Sequence, residues 1–133
     1  MIFIDSNIPM YLVGSPHQLK TDAQLLLERS VAQGRRLVSD VEVMQEIVHR
    51  FTAIDRRDAI GPACEALLRM CDEVFPIEKA DAQRALEIVQ GPEGFDGRDA
   101  LHLAIMEKHK VTEIMSFDHD FDRWPGITRL STP

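Results

Sequence analysis

The chain has 133 residues, 44% of them apolar, which suffices for one hydrophobic core of ordinary domain size and falls short of two. Fifteen Lys and Arg stand against 22 Asp and Glu, a net charge of -7, which excludes nucleic-acid binding through a broad basic face; a polyanion would need metal ions or a local Arg cluster. Cys64 and Cys71 fall on one predicted helix with a rise of roughly 10 Å between them, too far for a disulfide, so they read as core thiols of a reducing, cytoplasmic compartment, and neither a leader nor a membrane span is expected.

Residues 1–4 are an unbroken apolar run, the pattern of a strand buried on both faces, and Asp5 falls at its C-terminal edge. Ser6-Asn7 is placed to cap a short helix with Pro9 in its first turn, stopped by Gly14-Ser15-Pro16. A longer helix is predicted over 18–33 from the period of Leu19, Ala23, Leu26, Leu27 and Val31, with Gly34 as its C-terminal cap. Residues 36–38 give a weak strand signal. Ser39-Asp40-Val41-Glu42 has the form of a capping box, Ser39 capping and Glu42 reaching back, and opens a helix to about residue 54. Another helix is predicted over 58–71, with Gly61-Pro62 near its start. Residues 74–77 contain Pro76 and read as an edge segment, 78–90 as an amphipathic helix on Ala80, Ala82, Leu86 and Val89, and 91–94 as a loop. A helix over 97–109, a strand over 113–117, a turn over 118–126 anchored by Phe121 and Trp124, and a strand over 127–130 complete the chain. This alternation argues for an α/β fold with a central, mostly parallel sheet covered by helices, organised as a single domain over residues 1–133.

Four carboxylates sit where an apolar stretch ends or a helix begins: Asp5, Glu46, Asp99 and Asp118. A carboxylate out of water needs a proton, a cation or hydrogen bonds, and a divalent metal is the natural compensation for four brought together. Asp5 and Asp118 follow strands and so face the crevice where sites form in open α/β sheets, although either also suits a turn or cap. Glu42 and Glu46 share a helical face; the capping box occupies Glu42, leaving Glu46 for the crevice or for Arg50 at i+4. Asp96 reads as the cap of the helix that Asp99 enters, and His102 as a hydrogen-bonded interior histidine. The run from Asp118 to Asp122 looks like the opening of a calcium loop, but Arg123 stands where that loop needs Gly and Arg129 where it needs Glu. Asp120 is either a further metal ligand or solvated.

Taken in order, Ile4-Asp5-Ser6-Asn7, the helical Glu46, Arg98-Asp99-Ala100-Leu101-His102-Leu103-Ala104 and Ser116-Phe117-Asp118-His119-Asp120-Phe121 resemble the four motifs of a PIN-domain nuclease across nearly the whole chain. The small single-domain form is similar to the VapC ribonuclease toxins of bacterial toxin–antitoxin pairs; Gly97-Arg98 departs from the small or apolar residues that many members carry there. The resemblance implies a PIN-like three-layer α/β/α fold and a metal-dependent endoribonuclease. It places the catalytic acids at Asp5, Glu46, Asp99 and Asp118, with Asp120 as a further metal ligand and Asn7 assisting. It also implies Mg²⁺ with Mn²⁺ as a substitute, an RNA substrate, a homodimer, and a cognate antitoxin whose tail covers the active site.

Clustered carboxylates select hard cations, and no Cys/His pattern suggests zinc. Two such ions about 4 Å apart would activate water and stabilise the departing oxygen, leaving a 5′-phosphate and a 3′-hydroxyl without any Ser, Cys or His nucleophile. Arg98, Arg123 and Arg50 are the candidate phosphate contacts, each equally suited to a surface salt bridge. The competing readings are an aspartyl-phosphate phosphatase with Asp5 as nucleophile, and an acidic-pocket domain that binds a partner without catalysis.

Overall fold

The computed structural model describes every residue from Met1 to Pro133. Five short strands, β1 (Ile2–Ile4), β2 (Leu37–Asp40), β3 (Glu73–Phe75), β4 (Glu113–Met115) and β5 (Thr128–Leu130), form one sheet in the order β3-β2-β1-β4-β5, and every adjacent pair is parallel. Parallel strands need crossovers, and the helices supply them: α1 (Asn7–Val13) and α2 (Gln18–Ala32) between β1 and β2, α3 (Val41–Ala53) and α4 (Ile60–Met70) between β2 and β3, α5 (Lys79–Gln90) and α6 (Gly97–Lys108) between β3 and β4. The chain steps from β1 to β2 to β3 in one direction, then jumps back over both to β4. Right-handed crossovers therefore put α1–α4 on one face and α5–α6 on the other, the three-layer α/β/α arrangement. The reversal falls between β1 and β4. Such a switch point opens a crevice at the C-terminal ends of the two strands, where Asp5 and Asp118 lie.

Phe3, Ile4, Val38 and Ile114 are fully buried, as a sheet covered on both faces demands, and each large side chain so placed contributes roughly 1.5–3 kcal/mol. Residues 36–38, a weak signal in sequence, belong to β2, next to the centre of the sheet. β3 ends at Phe75 and lies on an edge, so Pro76 removes no ladder donor. Pro62 falls in the first turn of α4, where its missing N–H costs nothing, and a 3₁₀ turn over Arg57–Ala59 precedes the helix. Gly34 takes φ +69° just beyond α2 and its N–H bonds to the Val31 carbonyl, as a left-handed helix stop requires. Both cysteines are half-buried and free. No helix is long and apolar enough to cross a membrane.

Three expectations are corrected. The cap of α3 is Asp40, whose Oδ1 accepts from Val43 N at 2.9 Å; Ser39 instead donates to the Ile4 carbonyl, so the box read over residues 39–42 does not form. A reciprocal box does form at α5, between Glu78 and Asp81. On α5 the buried residues are Asp81, Ala85 and Ile88, whereas Leu86 is 57% exposed and Val89, Ala80 and Ala82 also face solvent. The buried stripe carries an acid whose carboxylate accepts from Glu78 N at 2.8 Å and lies 3.5 Å from Lys108 Nζ, so hydrophobicity alone selects the wrong face. On α2, similarly, Ser30 is buried by back-bonding to the Leu26 carbonyl while Val31 is exposed.

The α5 assignment is testable by urea denaturation. Ile88→Ala is expected to cost about 2–4 kcal/mol, and Leu86→Ala less than about 0.5 kcal/mol. Equal losses would contradict the packing described.

Candidate active site

Asp5 leaves the end of β1 fully enclosed. Ser6 N donates to its Oδ1 at 2.8 Å, while Ser116 Oγ at 2.6 Å and Asn7 Nδ2 at 3.3 Å donate to Oδ2. Ser116, at the end of β4, also accepts from Asp118 N and from Asn7 Nδ2, and Asn7 Oδ1 accepts from Phe117 N. One serine and one asparagine thus bolt the two strand ends together across the switch point. Burial raises the Asp5 carboxyl above the usual range, against the pull of His102 and the Ser116 hydrogen bond.

Glu46, one turn and a half into α3, is buried beside it. Ser6 Oγ donates to Glu46 Oε2 at 2.6 Å, which is why that hydroxyl does not cap α1. His102 Nε2 bonds Glu46 Oε1 at 2.7 Å and Nδ1 bonds Asp40 Oδ2 at 2.8 Å, with all three side chains almost wholly out of solvent. Burial disfavours the charged imidazole, but the two carboxylates outweigh it and lift the His102 pKa well above its ordinary value. The ring is therefore an imidazolium donating from both nitrogens. Burial pushes Glu46 upward as well; the hydrogen bond and charge of His102 overcome that and hold its carboxyl below the usual range. Glu42 is half-buried and hydrogen-bonds to none of these groups, its carboxyl raised by burial and by Glu46.

The remaining acids form a second group at the mouth. Asp99, Asp118 and Asp120 bring one carboxylate oxygen each within 4.8 Å of one another, as Asp5, Glu46 and His102 do with their own ligand atoms. Asp96 caps α6 and accepts from Asp99 N at 2.9 Å, fixing Asp99 in the first helical turn. Burial, then the charges of Asp96, Asp5 and Asp118, push the Asp99 carboxyl up to about 7. Asp118 caps the 3₁₀ turn over His119–Arg123, which Phe121, fully buried, and Trp124 pin to Phe95. The structure thus brings Asp5 and Glu46 into one group and Asp99, Asp118 and Asp120 into another, electrostatically joined through Asp5 and Asp99.

This donor set fits a hard divalent cation. Every free ligand atom is a carboxylate oxygen, and His102, with both nitrogens engaged, offers a metal no lone pair. Asp120 shares an oxygen with Arg123 at 2.8 Å. Arg123 also donates to the carbonyls of Glu93 and Gly94 and lies over the face of Phe95, so it clamps the loop after Gly91 to the acidic turn. Arg98 and Arg50 form no ion pair of their own. Sequence reasoning passed over Asp40, Ser116 and the bridging role of His102. The visible signal for Asp40 and Ser116 was only a polar residue at the end of an otherwise apolar strand, and for His102 its place among the apolar residues of α6.

The PIN domain family matches residues 2–127 of the chain. The chain is 53% identical over 131 residues to ribonuclease VapC13 of Mycobacterium tuberculosis, covering 98% of this chain and 100% of that protein. Its fold resembles that of the M. tuberculosis toxin VapC20, described as cleaving the sarcin-ricin loop, with a TM-score of 0.76 at 20% identity over 96% of this chain and 97% of that one. It also resembles a toxin–antitoxin complex from Klebsiella pneumoniae, with a TM-score of 0.69 at 19% identity and 96% coverage of each chain.

Two outcomes follow from the electrostatics. A carboxyl raised to about 7 makes the folded protein bind a proton more tightly than the unfolded chain, so its cost grows as pH rises from about 4 to 7 and is complete above that range. Asp99→Asn is expected to raise Tm by a few degrees at about pH 8 in EDTA and to change it little at about pH 4; a uniform fall in thermal melts would contradict the placement. His102→Ala strands Asp40 and Glu46 together and is expected to cost about 3–5 kcal/mol in denaturant unfolding.

Proposed function

The chain belongs to the PIN-domain family and to its VapC ribonucleases, and on that premise we propose that its nuclease domain, residues 1–133, is an endoribonuclease toxin that hydrolyses RNA phosphodiester bonds with a divalent cation. The observation that carries this reading is the convergence of Asp99, Asp118 and Asp120 beside the buried Asp5 and Glu46 at the switch point of a parallel sheet. Asp5, Glu46, Asp99 and Asp118 are the catalytic acids. Together with Asp120 they are the residues that would hold Mg²⁺, or Mn²⁺ in its place. Such an ion, when bound, supplies positive charge against the phosphate and acidifies water.

The chain's own part is to keep these oxygens aimed at one volume. Ser6, Asn7 and Ser116 orient Asp5. His102 and Ser6 fix both oxygens of Glu46 and leave each a free lone pair. Burial, and after it the crowding of like charge, gives Asp99 an affinity for a proton near neutrality, and that crowding also favours a cation. No side-chain nucleophile is needed. The aspartyl-phosphate phosphatase reading has no support in these matches, and Asn7, engaged with Asp5, leaves no acid two residues after it. The toxin–antitoxin complex among the fold neighbours supports a cognate antitoxin as partner, and a homodimer and a cytoplasmic site of action complete the proposal.

Purified protein is to be assayed on cellular RNA with Mg²⁺, Mn²⁺ or EDTA. Cleavage is expected with either ion and none in EDTA; Asp5→Asn, Asp99→Asn and Glu46→Gln should each reduce it at least about 100-fold, and Glu42→Gln less than about three-fold. Cleavage that persists in EDTA would overturn the mechanism, and loss in Glu42→Gln with retention in Glu46→Gln would reverse the assignment within α3.

A further inference from the structure

A cleft of about 340 Å³ opens beside the acid groups, between α1 and the C-terminal half of α3, and it begins at Asn7, the residue that holds Asp5. Both helices run outward from the site in step. One turn past Asn7, α1 carries Tyr11; one turn past Glu46, α3 carries Arg50 and then Phe51, and Arg56 and His17 close the far end. In a chain of net charge -7, no Asp or Glu lines this cleft, and two guanidiniums do. Arg56 shares its charge with the exposed Asp58 at 3.1 Å, whereas Arg50 forms no ion pair. The Tyr11 ring is braced edge-on by Phe117, with centroids 5.7 Å apart at 82°, and lies 5.2 Å from the ring of His17.

Unpaired bases are recognised by stacking on aromatic rings, and the phosphates between them by Arg. The cleft's volume lies in the range of small-ligand sites. We infer that this cleft seats an unpaired nucleotide of the RNA adjoining the scissile phosphate, its base against Tyr11 and its phosphate on Arg50, and so contributes to the choice of cut site. The inference rests on the ribonuclease reading and adds to it a place for substrate that the acids alone cannot provide. They repel the strand they must cut, and cations one turn away hold it in position.

The test uses the full chain and a fluorescein-labelled single-stranded RNA of about 12 nucleotides containing a site mapped from the 5′ ends that the parent protein produces. Tyr11→Leu keeps apolar bulk against Phe117 but removes the stacking surface, and Tyr11→Phe keeps that surface. Tyr11→Leu is expected to raise KM and Kd about ten-fold or more and to relax base preference at one position beside the cut, with Tyr11→Phe restoring both. Arg50→Gln should weaken binding and lower the slope of log Kd against log salt by about 0.7, the signature of one lost phosphate contact on a single strand. Arg69→Ala, on the exposed face of α4, serves as the unchanged control.

If Tyr11→Leu and Arg50→Gln bind and cut this RNA as the parent does, the cleft inference fails while the nuclease reading stands. If instead these variants lose only the binding of a co-expressed antitoxin, the cleft is a protein seat and the inference is likewise overturned. A parent protein that neither binds nor cuts any RNA removes the ribonuclease reading and the inference together.

Discussion

One buried cation, the imidazolium of His102 between Asp40 and Glu46, makes the rest of this site physically tenable. Three acids, Asp5, Asp40 and Glu46, are taken out of water within a few residues' reach of one another, and each would otherwise carry a desolvation penalty of several kcal/mol. His102 answers two of them directly and draws Asp5 down at longer range. It comes from α6, which crosses the opposite face of the sheet from α3. The bridge therefore ties both outer layers to β2 through one side chain, and every buried side-chain polar atom finds a partner.

That compensation is deliberately partial in its effect. Every oxygen of the inner acids Asp5 and Glu46 accepts a hydrogen bond, while the outer group of Asp99, Asp118 and Asp120 is left with its repulsion, offset in part by Arg123, by the N-terminus of α6 and at longer range by His102. An interior that is satisfied and a rim that is not is the arrangement expected where rigidity must hold a cluster together and the cluster must still attract a cation. The parallel sheet supplies the geometry. Because β1 and β4 are neighbours whose connections leave in opposite directions, residues more than a hundred positions apart, Asp5 and Ser116, meet at 2.6 Å.

The places where local reading failed share a cause. Ser6 was expected to cap α1 and Ser39 to cap α3, since a hydroxyl before a helix ordinarily serves the nearest free amides. Both hydroxyls are instead drawn to partners from distant chain, Glu46 and the Ile4 carbonyl, because burial makes those acceptors costlier to leave alone than a helix end that Asp40 or water can serve. The face of α5 was misassigned for the same reason: Asp81 is tolerated inside because Lys108 and a backbone N–H meet it there. Arg123, read from sequence as a candidate phosphate contact, is held by three loop partners and the Phe95 ring.

The sequence by itself determined the order and type of nearly every element, the parallel character of the sheet, and the positions of the acids at strand and helix ends. Apolar periodicity and chain breakers are local properties and need no knowledge of what lies across the fold. Tertiary structure alone decided which acids are neutralised and which are left to repel, that His102 is a cation rather than a ligand, and that Arg50 rather than Arg123 keeps its charge free beside the site. Charge state and hydrogen-bond partnership depend on distances between residues far apart in the chain, and those distances exist only once the sheet has brought β1, β2 and β4 side by side.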